Sequence, residues 1–218
     1  CRGYAAAMDA AAALGHMEDA RNYFDMVQSY VGVVPPDRAV PWITVAGFTV
    51  GYYLHQGELG APFEAAIDTH NAWNIDADKT AHHSKHFYIA QAYGRLRIYR
   101  GAKNPKERSL AESKLRTAAT ELALAAKMSV LQTHSLVLEA NIAHIDGEAL
   151  RAIECLNQAR TLATDIDNPW ALYEEALTRA YIYRGLDKER AMHLEVERAV
   201  SIAKHQSWRT RLRLVEAN

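Results

Sequence analysis

Glycine and proline are scarce in this chain, 11 and 6 among 218 residues. So few breakers leave long stretches free to run as uninterrupted helices. Cysteine is scarcer still. Cys1 and Cys155 stand far apart, so a disulfide framework is not indicated and a reducing interior is the expected setting. Cys155, inside the helical segment RAIECLNQA, reads as a small core residue. No apolar run approaches the length of a membrane span, and no secretory leader is visible, so a cytoplasmic location is expected. The formal net charge of -1 provides no global field toward nucleic acid or an anionic membrane.

The motifs of familiar catalysis are missing as well. There is no Walker or dinucleotide glycine pattern and no G-x-S-x-G elbow. Ser135 follows His134 directly, but neighbours on a helix do not face each other. Asp146, Glu148 and Glu154 are charges near helix starts, where the macrodipole favours them. The densest histidine cluster holds His70, His82, His83 and His86. His82 and His86 would share a helix face, yet His83 stands where a zincin needs glutamate. A third ligand would have to be Asp76, Asp78 or His70, and the segment reads better as the solvated start of a long helix. The expectation is a chain that is not an enzyme, with no catalytic residue, no metal and no cofactor.

What is abundant is apolar side chain at helical spacing, within a composition 49% hydrophobic and 23% charged. Five glycines punctuate the pattern: Gly15, Gly57, Gly101, Gly147 and Gly185, spaced 42, 44, 46 and 38 residues apart. Each closes one periodic segment and opens another, as a glycine in the left-handed conformation at a helix end would. The segments after them align. Ala20, Phe24 and Val27 follow Gly15 at the offsets of Ala152, Leu156 and Ala159 after Gly147. Ala111, Leu115 and Ala118 repeat the spacing after Gly101, displaced by an insertion, and Met192, Val196 and Ala199 repeat it after Gly185, displaced by two. After Gly57 the match is weaker, Pro62 and Ala66. Tyr53, Arg97, Ala143 and Tyr181 lie four residues before their glycines.

The spacing predicts helices over about 2–14, 17–31, 40–56, 60–74, 79–100, 106–127, 129–145, 148–164, 169–184, 187–204 and 207–216. That is five antiparallel pairs and a trailing helix. Pro35, Pro36 and Pro41 end one helix and admit the next. The basic segment KHQSWRTRLRL carries an apolar stripe, so its helix is expected to pack on the preceding pair with Trp208 over the core edge. The chain opens on Cys1 and ends on a helical sequence, and residues 1–218 are expected to be one helical-repeat domain excised from a longer protein.

This pattern resembles the tetratricopeptide motif. Tyr53 or Tyr181 stands as the middle aromatic, Gly57 or Gly185 as the turn residue, Ala20 and Ala152 as the small packing residue, and Phe24 and Leu156 as the large one. The family's repeat is shorter than the intervals here. The long repeats are similar to those of maltose-type transcription activators and related signal-transduction ATPases, where a helical array senses an inducer or a partner. The resemblance implies an all-α fold, an alpha-solenoid of antiparallel helix pairs in a right-handed superhelix.

In that family the first helix of each pair lines the concave face. Counting back from the glycines places His55, Tyr88, Gln91, Arg95, Tyr99, His134, Asn141, His144, Glu175, Arg179 and Tyr183 there. Tyrosine and arginine are common interface anchors. The expected function is a protein or peptide interaction scaffold, or sensor, inside a larger regulator. The alternative is an inducer-binding domain of a transcription activator, with a small molecule held by Arg95, Tyr99, His144 and Arg179. Nucleic acid and membrane are not expected partners. IYRG occurs twice, in GRLRIYRG and TRAYIYRG, a repetition that can itself be structural.

Overall fold

The computed structural model describes residues 2–31 and 39–216. Among these residues the fold is all α. The helices are α1 (Arg2–Leu14), α2 (Met17–Val31), α3 (Ala39–Gln56), α4 (Ala61–Asn71), α5 (His86–Gly101), α6 (Pro105–Ala125), α7 (Ser129–Ile145), α8 (Ala149–Asp165), α9 (Pro169–Gly185), α10 (Glu189–His205) and α11 (Arg209–Glu216). The Pro35-Pro36 step and Cys1 lie outside the described residues. No described helix is long and apolar enough to cross a membrane.

Two elements depart from the sequence expectation. The long helix predicted over 79–100 begins only at His86, preceded by a single 3-10 turn at His82–Ser84. The break is at Ala81, whose backbone is extended with ψ of 145°, after a turn in which the Asp76 carbonyl accepts both the backbone N–H and the hydroxyl of Thr80. α4 likewise stops early, at Asn71, and Asn74 turns the chain with a positive φ of 47°.

The described helices gather into two compact units, residues 1–121 and 122–218. In the first, α1 packs on α2 and α3, and α3 packs on α4 and α5. Alanines at 11, 12 and 20 let backbones approach, and aromatic rings fill the space beyond. Phe24 stacks on Tyr52 at 5.1 Å and meets Tyr53 edge-on at 6.1 Å. The core of this unit is therefore rich in aromatic rings.

In the second unit α7 to α11 start every twentieth residue, at Ser129, Ala149, Pro169, Glu189 and Arg209. The same turn joins each to the next. The N–H groups of Glu148, Asn168, Lys188 and Trp208 donate to the carbonyls of Ala143, Ala163, Tyr183 and Ala203 at 2.8, 2.8, 2.9 and 2.9 Å. The residue before each donor is left-handed: Gly147, Asp167, Asp187 and Ser207, with φ of 81°, 50°, 55° and 57°. This is the six-to-one closure of a Schellman turn.

The glycine rule is corrected accordingly. Gly15, Gly57 and Gly147 take the left-handed conformation, but Gly185 ends α9 two residues before the turn residue, which is Asp187. Gly101 ends α5, and Ala102 continues extended. Counted from the true turn residues, the two-residue displacement disappears: Ala152, Leu156, Ala159 and Ala163 of α8 map onto Met192, Val196, Ala199 and Ala203 of α10. Trp208 packs with Leu212 and Val215 on Tyr173, Ala176, Ala199 and Ala203, as expected of the trailing helix.

Candidate functional site

The duplicated motif occupies α5 in the first unit and α9 in the second. Aligning IYRG pairs Arg95 with Arg179 and Tyr99 with Tyr183. Both arginines are buried, and both reach back to the preceding helix. Arg95 grips the two carboxylate oxygens of Glu64 on α4, one at 2.9 Å and the other closer. Lys114 of α6 adds its ammonium at 3.3 Å from each oxygen. Arg179 donates to Glu175 at 2.8 Å and to Asn157 of α8 at 3.0 Å. The tyrosines correspond too. Arg108 lies 5.2 Å over Tyr99, and Lys188 lies 5.9 Å over Tyr183. In each unit the motif arginine reaches the preceding helix and the motif tyrosine lies beneath a cation, which gives the repetition a packing role. The hydrogen bond from Arg95 holds the Glu64 carboxyl below its ordinary range against the opposing effect of burial.

Around Glu175 the contacts become a network. This carboxylate is 0% exposed, yet it accepts from three guanidinium groups. Arg160 of α8 reaches it at 3.1 and 3.2 Å, Arg179 at 2.8 Å, and Arg198 of α10 makes a close contact. Glu195 of α10 accepts from Arg160 at 2.8 Å and from Arg198 at 2.7 Å. Burial pushes the Glu195 carboxyl up, but hydrogen bonding to Arg160 and the charge of Arg198 outweigh it and hold the group low. Three arginines and two glutamates thus tie α8, α9 and α10 together. A buried charge survives only when surrounded this way.

The remaining residues expected on a concave face are placed as follows. His55 lies 3.6 Å from Asp9 of α1, and His86 of α5 reaches the other oxygen of that carboxylate at 3.1 Å. Tyr88 bonds Thr80 through its hydroxyl at 2.9 Å. Gln91 hydrogen-bonds Glu121 of α6, whose carboxyl is pushed up by burial and drawn down less by that bond. Asn141 donates to the Val137 carbonyl at 2.8 Å and to Thr178 of α9 at 3.2 Å. His134 meets Trp170 edge-on at 5.0 Å, and His144 meets Tyr181 at 5.6 Å. Nine of the eleven are buried, while His144 and Tyr183 keep partial exposure. Five belong to the first unit and six to the second.

Sequence reasoning did not single out Glu64, Asn157, Arg160, Glu195 or Arg198. They sit on α4, α8 and α10, the second helices of their pairs, whereas the positions counted back from the glycines fall on first helices. The signal available was charge complementarity: acidic and basic residues at helical spacing on the helices flanking each motif arginine.

Among the described residues no group of three or more His, Cys, Asp or Glu is placed to hold a metal ion. The histidine segment is dispersed. His70 is buried and stacked on Phe87 with ring centroids 3.4 Å apart, His82 is exposed, and His86 turns to Asp9. An open hollow of about 450 Å³ is lined by Asp187, Lys188, Glu189, Arg190, Ala191 and Leu194. No family model, no curated protein and no solved structure matches this chain.

Proposed function

We propose that the chain is a tetratricopeptide-like helical-repeat scaffold, non-catalytic and cytoplasmic, that binds another protein for a larger regulator of the maltose-type activator kind. The observation that carries this reading is the division of labour among side chains. Polar and aromatic residues of the first helices are spent on internal contacts, while large aliphatic ones on second helices stand in solvent. Leu150 of α8 is 84% exposed and Leu194 of α10 is 60% exposed. Arg151 flanks Leu150 and is paired with Glu139 at 2.9 Å and Glu148 at 3.0 Å, an apolar residue with a polar rim. Such a mixture suits a protein interface. The hollow beside Leu194 is open, a form that favours a macromolecular partner over an enclosed inducer.

A photo-crosslinking residue at position 150, in the parent cell, tests this. The expected result is one covalent protein adduct whose reconstituted complex is weakened about tenfold or more by Leu150→Glu with Leu194→Glu. Absence of any protein adduct, together with thermal stabilisation of the chain by a small metabolite, would replace the scaffold reading with the inducer-binding one.

A further inference from the structure

α11 carries an arginine where α7 and α9 carry apolar residues. Those three helices start forty residues apart, at Ser129, Pro169 and Arg209, so Arg211 stands on α11 where Leu131 stands on α7 and Ala171 on α9. All three are buried, and Arg211 is only 2% exposed. Around it are three rings. Its guanidinium carbon lies 4.1 Å from the ring centre of Trp208, 4.7 Å from Trp170 and 5.3 Å from Tyr173. The Tyr173 hydroxyl also donates to the Arg211 carbonyl at 3.1 Å. The Trp170 indole is fixed in turn, donating to Glu174 at 3.2 Å.

We infer that Trp170, Tyr173 and Trp208 form a guanidinium-binding cage that α11 fills in cis and that an arginine-anchored amphipathic helix of a partner protein fills in trans. This rests on the scaffold reading above and names the chemistry of one partner. A planar, weakly hydrated guanidinium suits stacked rings better than the compact ammonium of lysine. Tryptophan, tyrosine and arginine are also the side chains that dominate binding energy at interfaces. α11 has eight residues, RTRLRLVE, three of them arginine. A helix so short is marginal alone and holds its place through side-chain contacts. Outside the cage, those are Leu212 and Val215 on the α9–α10 core.

The test uses the whole chain and labelled peptides of residues 206–216. The native peptide is expected to bind the Arg211→Ala chain about tenfold more tightly than the wild-type chain, because the cis occupant no longer competes. The peptide with alanine at its Arg211 position is expected to bind neither, and the lysine version to bind weakly. If Arg211→Ala does not fold, the wild-type chain still reports: native peptide at high concentration should shift the Trp170 and Trp208 indole resonances, and Trp170→Leu should abolish the effect. Equal binding of the arginine and alanine peptides, or unshifted indoles at saturating native peptide, overturns the inference. Neither result touches the Leu150 crosslink, so the two readings fail separately.

Discussion

Gly94 of α5 lies directly beneath the Phe63 ring of α4: a Cβ added to the glycine would stand 2.2 Å from Phe63 Cζ. The approach also sets the Arg95 guanidinium 5.5 Å over that ring, next to Glu64. Gly94→Ala is expected to destabilise the chain by about 1–3 kcal/mol, since Phe63 is fully buried and has no room to retreat. Urea unfolding measures this. Phe63→Leu in the same chain should recover part of the loss, a coupling that a double-mutant cycle isolates.

The turn residues of the second unit offer a matched pair. Gly147 and Asp187 hold the same left-handed conformation, but only the glycine does so without steric penalty. Asp187→Gly is expected to stabilise by about 0.5–1 kcal/mol, and Gly147→Ala to destabilise by about 1 kcal/mol or more. Chemical denaturation of the two variants checks both signs.

His70 titrates against the fold. Desolvation lowers its pKa from 6.5 to about 4, with a weaker opposing hydrogen bond to Asn71. A histidine depressed in the folded state resists the proton that the unfolded chain accepts. Stability is therefore full above pH 6.5 and falls as pH drops from there toward about 4. The expected loss is about 3 kcal/mol, from the relation between pKa difference and free energy. His70→Phe should flatten that segment of a stability–pH curve.

Glu121 has the opposite sign. The remaining oxygens of the Gln91–Glu121 pair, Gln91 Oε1 and Glu121 Oε2, lack hydrogen-bond partners, and both are acceptors unless the acid is protonated. Burial raises this carboxyl. A raised acid contributes stability below its unfolded value, 4.5, and loses it as pH rises through the folded one. Glu121→Gln, which imitates the protonated acid, should raise the melting temperature near neutral pH. The difference should close in acid.

Much of this fold was legible in the residues. Alanine, leucine and valine at helical spacing placed the helices of the second unit within a few residues. The left-handed Gly15, Gly57 and Gly147 were legible because glycine is the usual occupant of that conformation. Asp167, Asp187 and Ser207 were not, since aspartate and serine serve many turns and caps. The interval ending at Gly185 is therefore only 38 residues, although the helices of this unit step evenly. The candidate site was legible in its residue types and misleading in their direction. Arg95 and Arg179 have the spacing of a solvent-facing stripe, and only the position of Glu64 and Asn157 on neighbouring helices turns them inward.

These charged residues tie helices together. Glu175, fully buried among Arg160, Arg179 and Arg198, is where that role is most exposed to test. The decisive measurement is urea denaturation of Glu175→Gln beside the wild type. Three guanidinium groups facing a neutral amide should lower the unfolding free energy by about 3 kcal/mol or more. A variant within about 0.5 kcal/mol of wild type would contradict the account and return these arginines to the role of a free binding face.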